Sequence, residues 1–353
     1  MLSFRLPMPS DSPLIAPRGS ALALSRPTKI LILANPTAGA GAVRANRARI
    51  LKAVQRDLEK RGHSVHIGLE TEPRAIRERA QNAACAGTPV VVAAGGDGTI
   101  NAVVNGLMRA SGGGHSRTKL GVLPLGTGNV FAYNLGLSNW RVAARALGGG
   151  HSRRIDVGHA RPLEEAKRGR KKGAAPLEAA RDKPSPRYFV LMSGIGFDAK
   201  VIEETSLRLK WVLRDFAYAL TSLQNAVVHQ GTQVTLTFPD GTRHSEMAWL
   251  LMAGNAASYA WAIKFTGRAR MDDGKLDLCV FPFENKLTSV QQVTQLLLGQ
   301  HVERGTARYY QTPSVKIESS PPIPIQLDGD EWGTTPAELV MLPGVLDVLV
   351  PEV

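Results

Sequence analysis

The residues of this sequence best suited to chemistry lie in three short polar loops. Gly95-Gly96-Asp97-Gly98-Thr99 follows the apolar run Pro89-Val90-Val91-Val92-Ala93-Ala94 and precedes Ile100, Val103, Val104 and Leu107, which share one face at helical spacing. The loop is therefore set between the carboxyl end of a strand and the amino end of a helix, where backbone N–H groups and the helix dipole converge on anions. Its glycines let the backbone approach a phosphate closely, and Asp97 can hold a metal ion that neutralises phosphate oxygens. Asp97-Gly98-Thr99 alone also fits a plain helix N-cap. Two companion loops at equivalent strand ends weigh against that plainer reading: Asn35-Pro36-Thr37-Ala38-Gly39 and Pro124-Leu125-Gly126-Thr127-Gly128-Asn129. Asn35 precedes proline and is pushed out of helical geometry, so its strand must stop there. Neither a GxxxxGK[ST] loop nor a complete GxGxxG fingerprint is present at these positions, which sets aside P-loop ATPases and Rossmann-type dinucleotide oxidoreductases.

Such loops need a rigid sheet to carry them. The spacing predicts strands over Lys29–Ala34, His63–Leu69, Pro89–Ala94 and Lys119–Leu123, alternating with helical patterns in the order of βαβ units. Val43, Arg47, Ile50, Leu51, Val54 and Leu58 mark the first helix, closed by Gly62 as its C-cap. Trp140–Leu147 reads as helix up to Gly148-Gly149-Gly150, and Arg153–Val157 begins another strand. Residues 161–187, rich in Lys, Arg, Ala and Pro, read as a mobile basic excursion. Beyond them the pattern predicts short strands over Tyr188–Met192, Gln233–Phe238, Met247–Ala253, Lys275–Phe281, Ser314–Glu318, Ile323–Leu327, Ala337–Leu342 and Val345–Val350. Turns such as Pro239-Asp240-Gly241 between them argue for antiparallel structure. Helical patterns interrupt the series at Phe197–Val228 and Leu287–Leu298. The expected fold class is α/β + β, a three-layer α/β nucleotide-binding domain followed by a β-sandwich. We expect a flexible leader over 1–27, the α/β domain over 28–152, and the β-sandwich over 153–353 with the basic insertion inside it.

Length and composition agree with two folded domains. The 353 residues are 43% hydrophobic and 21% charged, which excludes a mainly disordered or fibrous chain. The formal charge of +13 calls for an anionic partner: nucleic acid, nucleotide or an acidic membrane face. Aromatic residues are only 6% and no nucleic-acid motif occurs, so nucleic acid is not the expected partner. Cys85 and Cys279 stand far apart and match no metal spacing, which predicts free thiols and a reducing compartment. The histidines lack ligand spacing. No apolar run approaches the roughly 18 residues of a membrane-spanning helix, so membrane contact is expected to be peripheral.

Taken together, Ala34-Asn35-Pro36, Gly95-Gly96-Asp97-Gly98-Thr99-Ile100-Asn101 and Pro124-Leu125-Gly126-Thr127-Gly128-Asn129 resemble, in order, three signatures of the diacylglycerol kinase catalytic family, which includes sphingosine and ceramide kinases. Fainter similarity continues through Ile155-Asp156-Val157-Gly158, Gly194-Ile195-Gly196-Phe197-Asp198-Ala199, Asp272-Asp273-Gly274-Lys275-Leu276-Asp277 and Gln326-Leu327-Asp328-Gly329-Asp330. The resemblance implies ATP and Mg²⁺, a lipid hydroxyl as acceptor, and an active site in the cleft between the domains. It implies that Asn35, Thr71, Gly95, Gly96, Asp97, Gly98, Thr99, Gly126, Thr127 and Asn129 contact ATP, with Asp97 near the catalytic magnesium. Asp328 and Asp330 would face the cleft, the latter where the family carries the acid that takes the acceptor proton, usually a glutamate. Their spacing fits a tight turn equally well. Asp156 is either a family-like catalytic acid or a capping residue, and Asp273 either a metal ligand or a solvated turn residue. Ala38, Ala102 and Val130 depart from the family pattern, where serine, glutamate and aspartate are frequent. Further expectations are a cytoplasmic protein, peripheral at the anionic inner membrane face, with its state open between monomer and homodimer. A catalytically altered nucleotide- or lipid-binding regulator and an NAD kinase-like enzyme, which shares the Gly-Gly-Asp-Gly-Thr loop, are the alternatives.

Overall fold

The computed structural model describes residues 27–39, 41–149, 151–163, 184–196, 231–257 and 264–352. The leader and the helical pattern expected over 197–228 lie outside them. Four parallel strands open the chain: β1 (Lys29–Ala34), β2 (Ser64–Leu69), β3 (Val90–Gly95) and β4 (Lys119–Pro124), in the order β2-β1-β3-β4. β3 is buried along its whole length, which is why it reads as an unbroken apolar run. Right-handed crossovers place α1 (Gly41–Lys60) on one face of the sheet, and α2 (Pro73–Cys85) and α3 (Asp97–Ala110) on the other. Gly62, at φ +87°, ends α1 as predicted. After β4 come the short α4 (Val130–Asn134) and α5 (Trp140–Leu147), the latter capped by the Asn139 side chain. All four strands end at one edge, so the loops that leave them share that edge.

The second half is antiparallel: β5 (His151–Pro162), β6 (Arg187–Phe189), β7 (Met192–Ile195), β8 (Thr232–Thr237), β9 (Arg243–Gly254), β10 (Leu276–Pro282), β11 (Arg308–Thr312), β12 (Ser314–Ser320), β13 (Pro324–Leu327) and β14 (Asp330–Thr334), with β15 (Ala337–Val350) closing it. α6 (Lys286–Leu297) starts from an Asn285/Thr288 capping box. The β-sandwich interior holds Phe189, Ile195, Leu236, Leu251, Leu278, Val280, Ile317, Leu327 and Leu339, all buried. Each such side chain contributes about 1.5–3 kcal/mol.

Several elements differ from the sequence reading. Tyr188–Met192 is not one strand. It splits between β6 and β7, because the N–H groups of Val190 and Leu191 turn to the Asp328 carboxylate instead of a strand partner. Ala337–Leu342 and Val345–Val350 are one strand with a bulge. The basic excursion is shorter at both ends than 161–187, since Arg161 and Pro162 continue β5 and Arg187 opens β6. β11 and β14 went unread. β15 does more than close the sandwich: it pairs antiparallel with β12 and β5 and parallel with β4, at Val348↔Leu120. One hydrogen-bonded path of strands thus runs from β14 to β2.

Candidate active site

The three polar loops meet backbone to backbone. A Cβ on Gly126 would stand 2.3 Å from the Gly96 Cα, and one on Gly39 would stand 2.3 Å from the Leu125 carbonyl oxygen. Only glycine allows this approach, and Gly39 additionally takes a left-handed φ of +82°. Leu125 N–H and Gly126 N–H both donate to the Gly95 carbonyl at 3.0 and 3.1 Å, locking the third loop onto the end of β3. Asn35 turns its own loop by accepting from the Thr37 N–H (2.9 Å) and hydroxyl (2.7 Å). Arg47, buried on α1, donates to the carbonyls of Pro36 and Leu125 and so braces two of the loops from beneath. Its signal in the sequence was a charge on the apolar face of α1. Thr71 is exposed at the neighbouring end of β2.

Gly96 is the N-cap residue of α3, so the strand passes into the helix through a single residue. First-turn N–H groups of a helix have no intrahelical acceptor and carry the positive end of its dipole. Gly98 is exposed there, with no protein atom within 4 Å of where a side chain would begin. Thr99 is buried and packed against Gly95, so its side chain holds the turn. Asp97 does not cap its own helix. Its two carboxylate oxygens accept from Val130 N–H (3.1 Å) and Phe131 N–H (3.0 Å), capping α4 across the cleft edge. Asn129, left-handed at φ 54°, makes a closed pair with Gly126, accepting from its N–H and donating to its carbonyl, both at 3.0 Å. Thr127 is the exposed side chain of that loop.

On the second unit, Asp328 takes a role that spacing alone did not reveal. In left-handed geometry at φ 50°, its carboxylate accepts from Val190, Leu191 and Met192 N–H and from Asn101 Nδ2, at 2.7–3.0 Å. The turn faces solvent but the carboxylate is enclosed. Burial pushes its carboxyl above the ordinary carboxylate range, and the four donors pull back toward the ionised form. With every face engaged, Asp328 ties β13 to β6 and β7 and has no oxygen to spare for an acceptor. Asp330 differs: it is 56% exposed and among the described residues it pairs with Arg187, which also reaches Asn101 Oδ1 at 3.1 Å. Asn105, one turn along α3, donates to the Tyr188 carbonyl (2.9 Å) and accepts from the Tyr188 N–H (3.0 Å), as a neighbouring strand would. Asn101, Asn105 and Arg187 therefore join the two units. The sequence signalled the two asparagines only as amides, four apart, on a largely apolar helix, and Arg187 only as the last residue of the basic excursion.

The remaining expected site residues sit elsewhere. Asp156 is 2% exposed and accepts from Gly344 and Gly274 N–H, each at 2.7 Å, so it clamps two turns of the second unit. Burial holds its carboxyl above the ordinary range against those two donors, with Asp273 and Asp272 adding to the rise. Its bonding is that of a capping residue. Asp273 accepts from Lys275 N–H at 3.1 Å, while Asp272 pairs with Arg153 and Arg270. Among the described residues no three carboxylate, histidine or cysteine groups gather to hold a metal ion. Asp273 stands in the turn that leads into β10. Ala102, one of the departures from the family pattern, is buried within the core.

Comparison with known proteins supports the resemblance. The diacylglycerol kinase catalytic domain model matches residues 29–160, and the YegS C-terminal NAD kinase beta sandwich-like domain matches residues 192–350. A Chromohalobacter salexigens protein named "Probable lipid kinase YegS-like" is 30% identical over 313 residues, covering 87% of this chain and 90% of that protein. The diacylglycerol kinase of Bacillus subtilis is 27% identical, with 91% and 96% covered. A solved structure of a diacylglycerol kinase from Bacillus anthracis shares the fold, with a TM-score of 0.66 at 24% identity and 91% and 96% of the two chains covered. The α/β and β-sandwich architecture is thereby established.

Proposed function

Since the chain belongs to the diacylglycerol kinase catalytic-domain family and is a lipid kinase, we propose that it transfers the γ-phosphoryl group of Mg·ATP to the hydroxyl of a diacylglycerol-like or sphingoid lipid at an anionic membrane surface. The observation that carries this reading is the fused set of glycine loops at the amino end of α3, the helix whose Asn101 shares Arg187 with the exposed carboxylate of Asp330. Phosphoryl transfer asks a protein mainly for alignment and charge neutralisation. First-turn N–H groups of α3 and the loop backbones would take the phosphates. Asp330 would accept the hydroxyl proton, since a lipid hydroxyl is a poor nucleophile until a carboxylate takes it.

Magnesium, when bound with the nucleotide, neutralises phosphate charge. The donor set fits an ion carried by ATP, because Mg²⁺ is usually held by one or two carboxylates plus phosphate oxygens and water. Asp97 would supply that carboxylate, since two N–H donors leave part of its acceptor capacity unused. No helix among the described residues is long and apolar enough to cross a membrane, and the formal charge of +13 favours adsorption to anionic lipid.

The test is phosphoryl transfer from γ-labelled ATP in Mg²⁺ to vesicles of dioleoylglycerol, sphingosine, ceramide or total lipid extract. A labelled lipid is expected, with kcat reduced at least about 100-fold by Asp330→Asn. Nucleotide binding with no labelled lipid on any arm would instead make the chain a regulator and overturn this reading.

A further inference from the structure

Arg187 stands where the two units meet. Its guanidinium is shared between the exposed Asp330 and Asn101 Oδ1. Asn101 lies four residues beyond Asp97, about 6 Å along α3, so the guanidinium is within side-chain reach of an anion docked at that helix end. The charge behind it is unbalanced. Burial first, then the positive charges of Arg109 and Arg187, hold the Arg77 guanidinium on α2 below its ordinary range. Arg77 Nε is buried without a hydrogen-bond partner, and Arg77 has no carboxylate within ion-pair distance among the described residues. Glu78 pairs with Arg74 instead. Arg187 thus has a carboxylate partner in Asp330 while its neighbour Arg77 has none, and a partly buried guanidinium without a counterion is costly unless an anion joins it.

The geometry points to Arg187 as a phosphate-binding residue that exchanges partners during turnover, leaving Asp330 for the transferred phosphoryl group, with Arg77 sharing the charge. This rests on the proposed phosphoryl transfer. The acceptor oxygen bonds to the γ-phosphorus as the bond from phosphorus to the β,γ-bridging oxygen breaks, and that electron pair leaves with ADP. The hydroxyl proton passes to Asp330. Once protonated, Asp330 no longer attracts a guanidinium, whereas the new phosphomonoester does, and bidentate pairing with phosphate is what arginine favours. Proton transfer and the release of Arg187 are therefore one event.

The experiment measures inorganic phosphate binding by calorimetry, with MgADP saturating so that the glycine loops are filled. Asp330→Asn should bind phosphate at least about 5-fold more tightly than wild type, and Arg187→Gln at least about 5-fold more weakly. The double variant should follow Arg187→Gln, and Arg187→Lys should fall between. Soluble dihexanoyl phosphatidate should displace the phosphate, which separates a lipid phosphomonoester from the free ion; failure to displace it would restrict the site to the free ion and overturn the product role. Arg187→Gln should also lower kcat about 100- to 1,000-fold with KM for ATP within about 3-fold. Equal phosphate affinities across wild type and variants would sink the partner exchange even if lipids are phosphorylated. The expected order in a protein that labels no lipid would sink the proposed function alone.

Discussion

Gly98→Ala separates a phosphate site from a merely compact turn. Apart from the local helix backbone the new methyl group meets no atom of the described residues within 4 Å, and the residue already sits in the first turn of α3. Folding should therefore be unharmed, and loss of glycine's freedom in the unfolded chain should stabilise by about 0.4–1 kcal/mol. Ligand binding should respond in the opposite sense. The Gly98 N–H is one of the unpartnered first-turn donors, and a phosphate oxygen must come within about 2.9 Å of its nitrogen to use it. Losing one hydrogen bond to a charged group costs about 1.5–3 kcal/mol, or roughly 10- to 150-fold in affinity. Calorimetric titration with MgADP, alongside thermal unfolding of the same sample, reads both quantities. Nucleotide affinity within 2-fold of wild type, in a variant at least as stable, would refute the placement of phosphate on this loop.

Gly126→Ala should behave differently, because its methyl group would lie 2.3 Å from the Gly96 Cα and backbone cannot yield as a side chain does. It should destabilise by about 1–3 kcal/mol and lower kcat/KM about 100-fold, since an ångström of misalignment carries that cost; activity at the wild-type level would show that the loops need not touch. Asp156→Asn should lower the melting temperature yet leave kcat unchanged, as it replaces one of two acceptors in a turn clamp; a lost kcat in folded protein would return Asp156 to the chemistry. His301, its ring nitrogen 2.9 Å from the Phe265 carbonyl, is held below the ordinary histidine range chiefly by burial, as are His63 and His159. The unfolded imidazoles take protons near pH 6.5 and the folded ones only at lower pH. Stability is thus fully present above about pH 6.5 and declines as pH falls below it. Melting curves from pH 7.5 to 5 should show the decline, and His301→Gln should flatten it; an identical slope in the variant would exclude His301 from it.

How much of this was legible in the sequence depended on how far apart the cooperating residues lie. The β3–α3 junction was readable because an apolar run, two glycines and a helical face follow one another directly. Asp328 was not, since its backbone donors lie 136 to 138 residues away and only the folded chain brings them to its carboxylate. The same distance concealed the break between β6 and β7. β14 was hidden by its composition: Asp330-Glu331-Trp332-Gly333-Thr334 is charged at its start and follows a turn, although Trp332 anchors it by donating to the Ser185 carbonyl at 2.9 Å. Asp97 was assigned a place correctly at a helix start, but the helix it caps is the one beginning at Val130.

β15 fixes the order in which the molecule becomes competent. Its residues, Ala337–Val350, are synthesised after every strand they join, including β4 at the edge of the parallel sheet. Until they emerge, the first 124 residues present an uncovered strand edge, the kind that invites pairing with the wrong chain. A growing polypeptide therefore completes the edge of its parallel sheet only once the β-sandwich strands have been made.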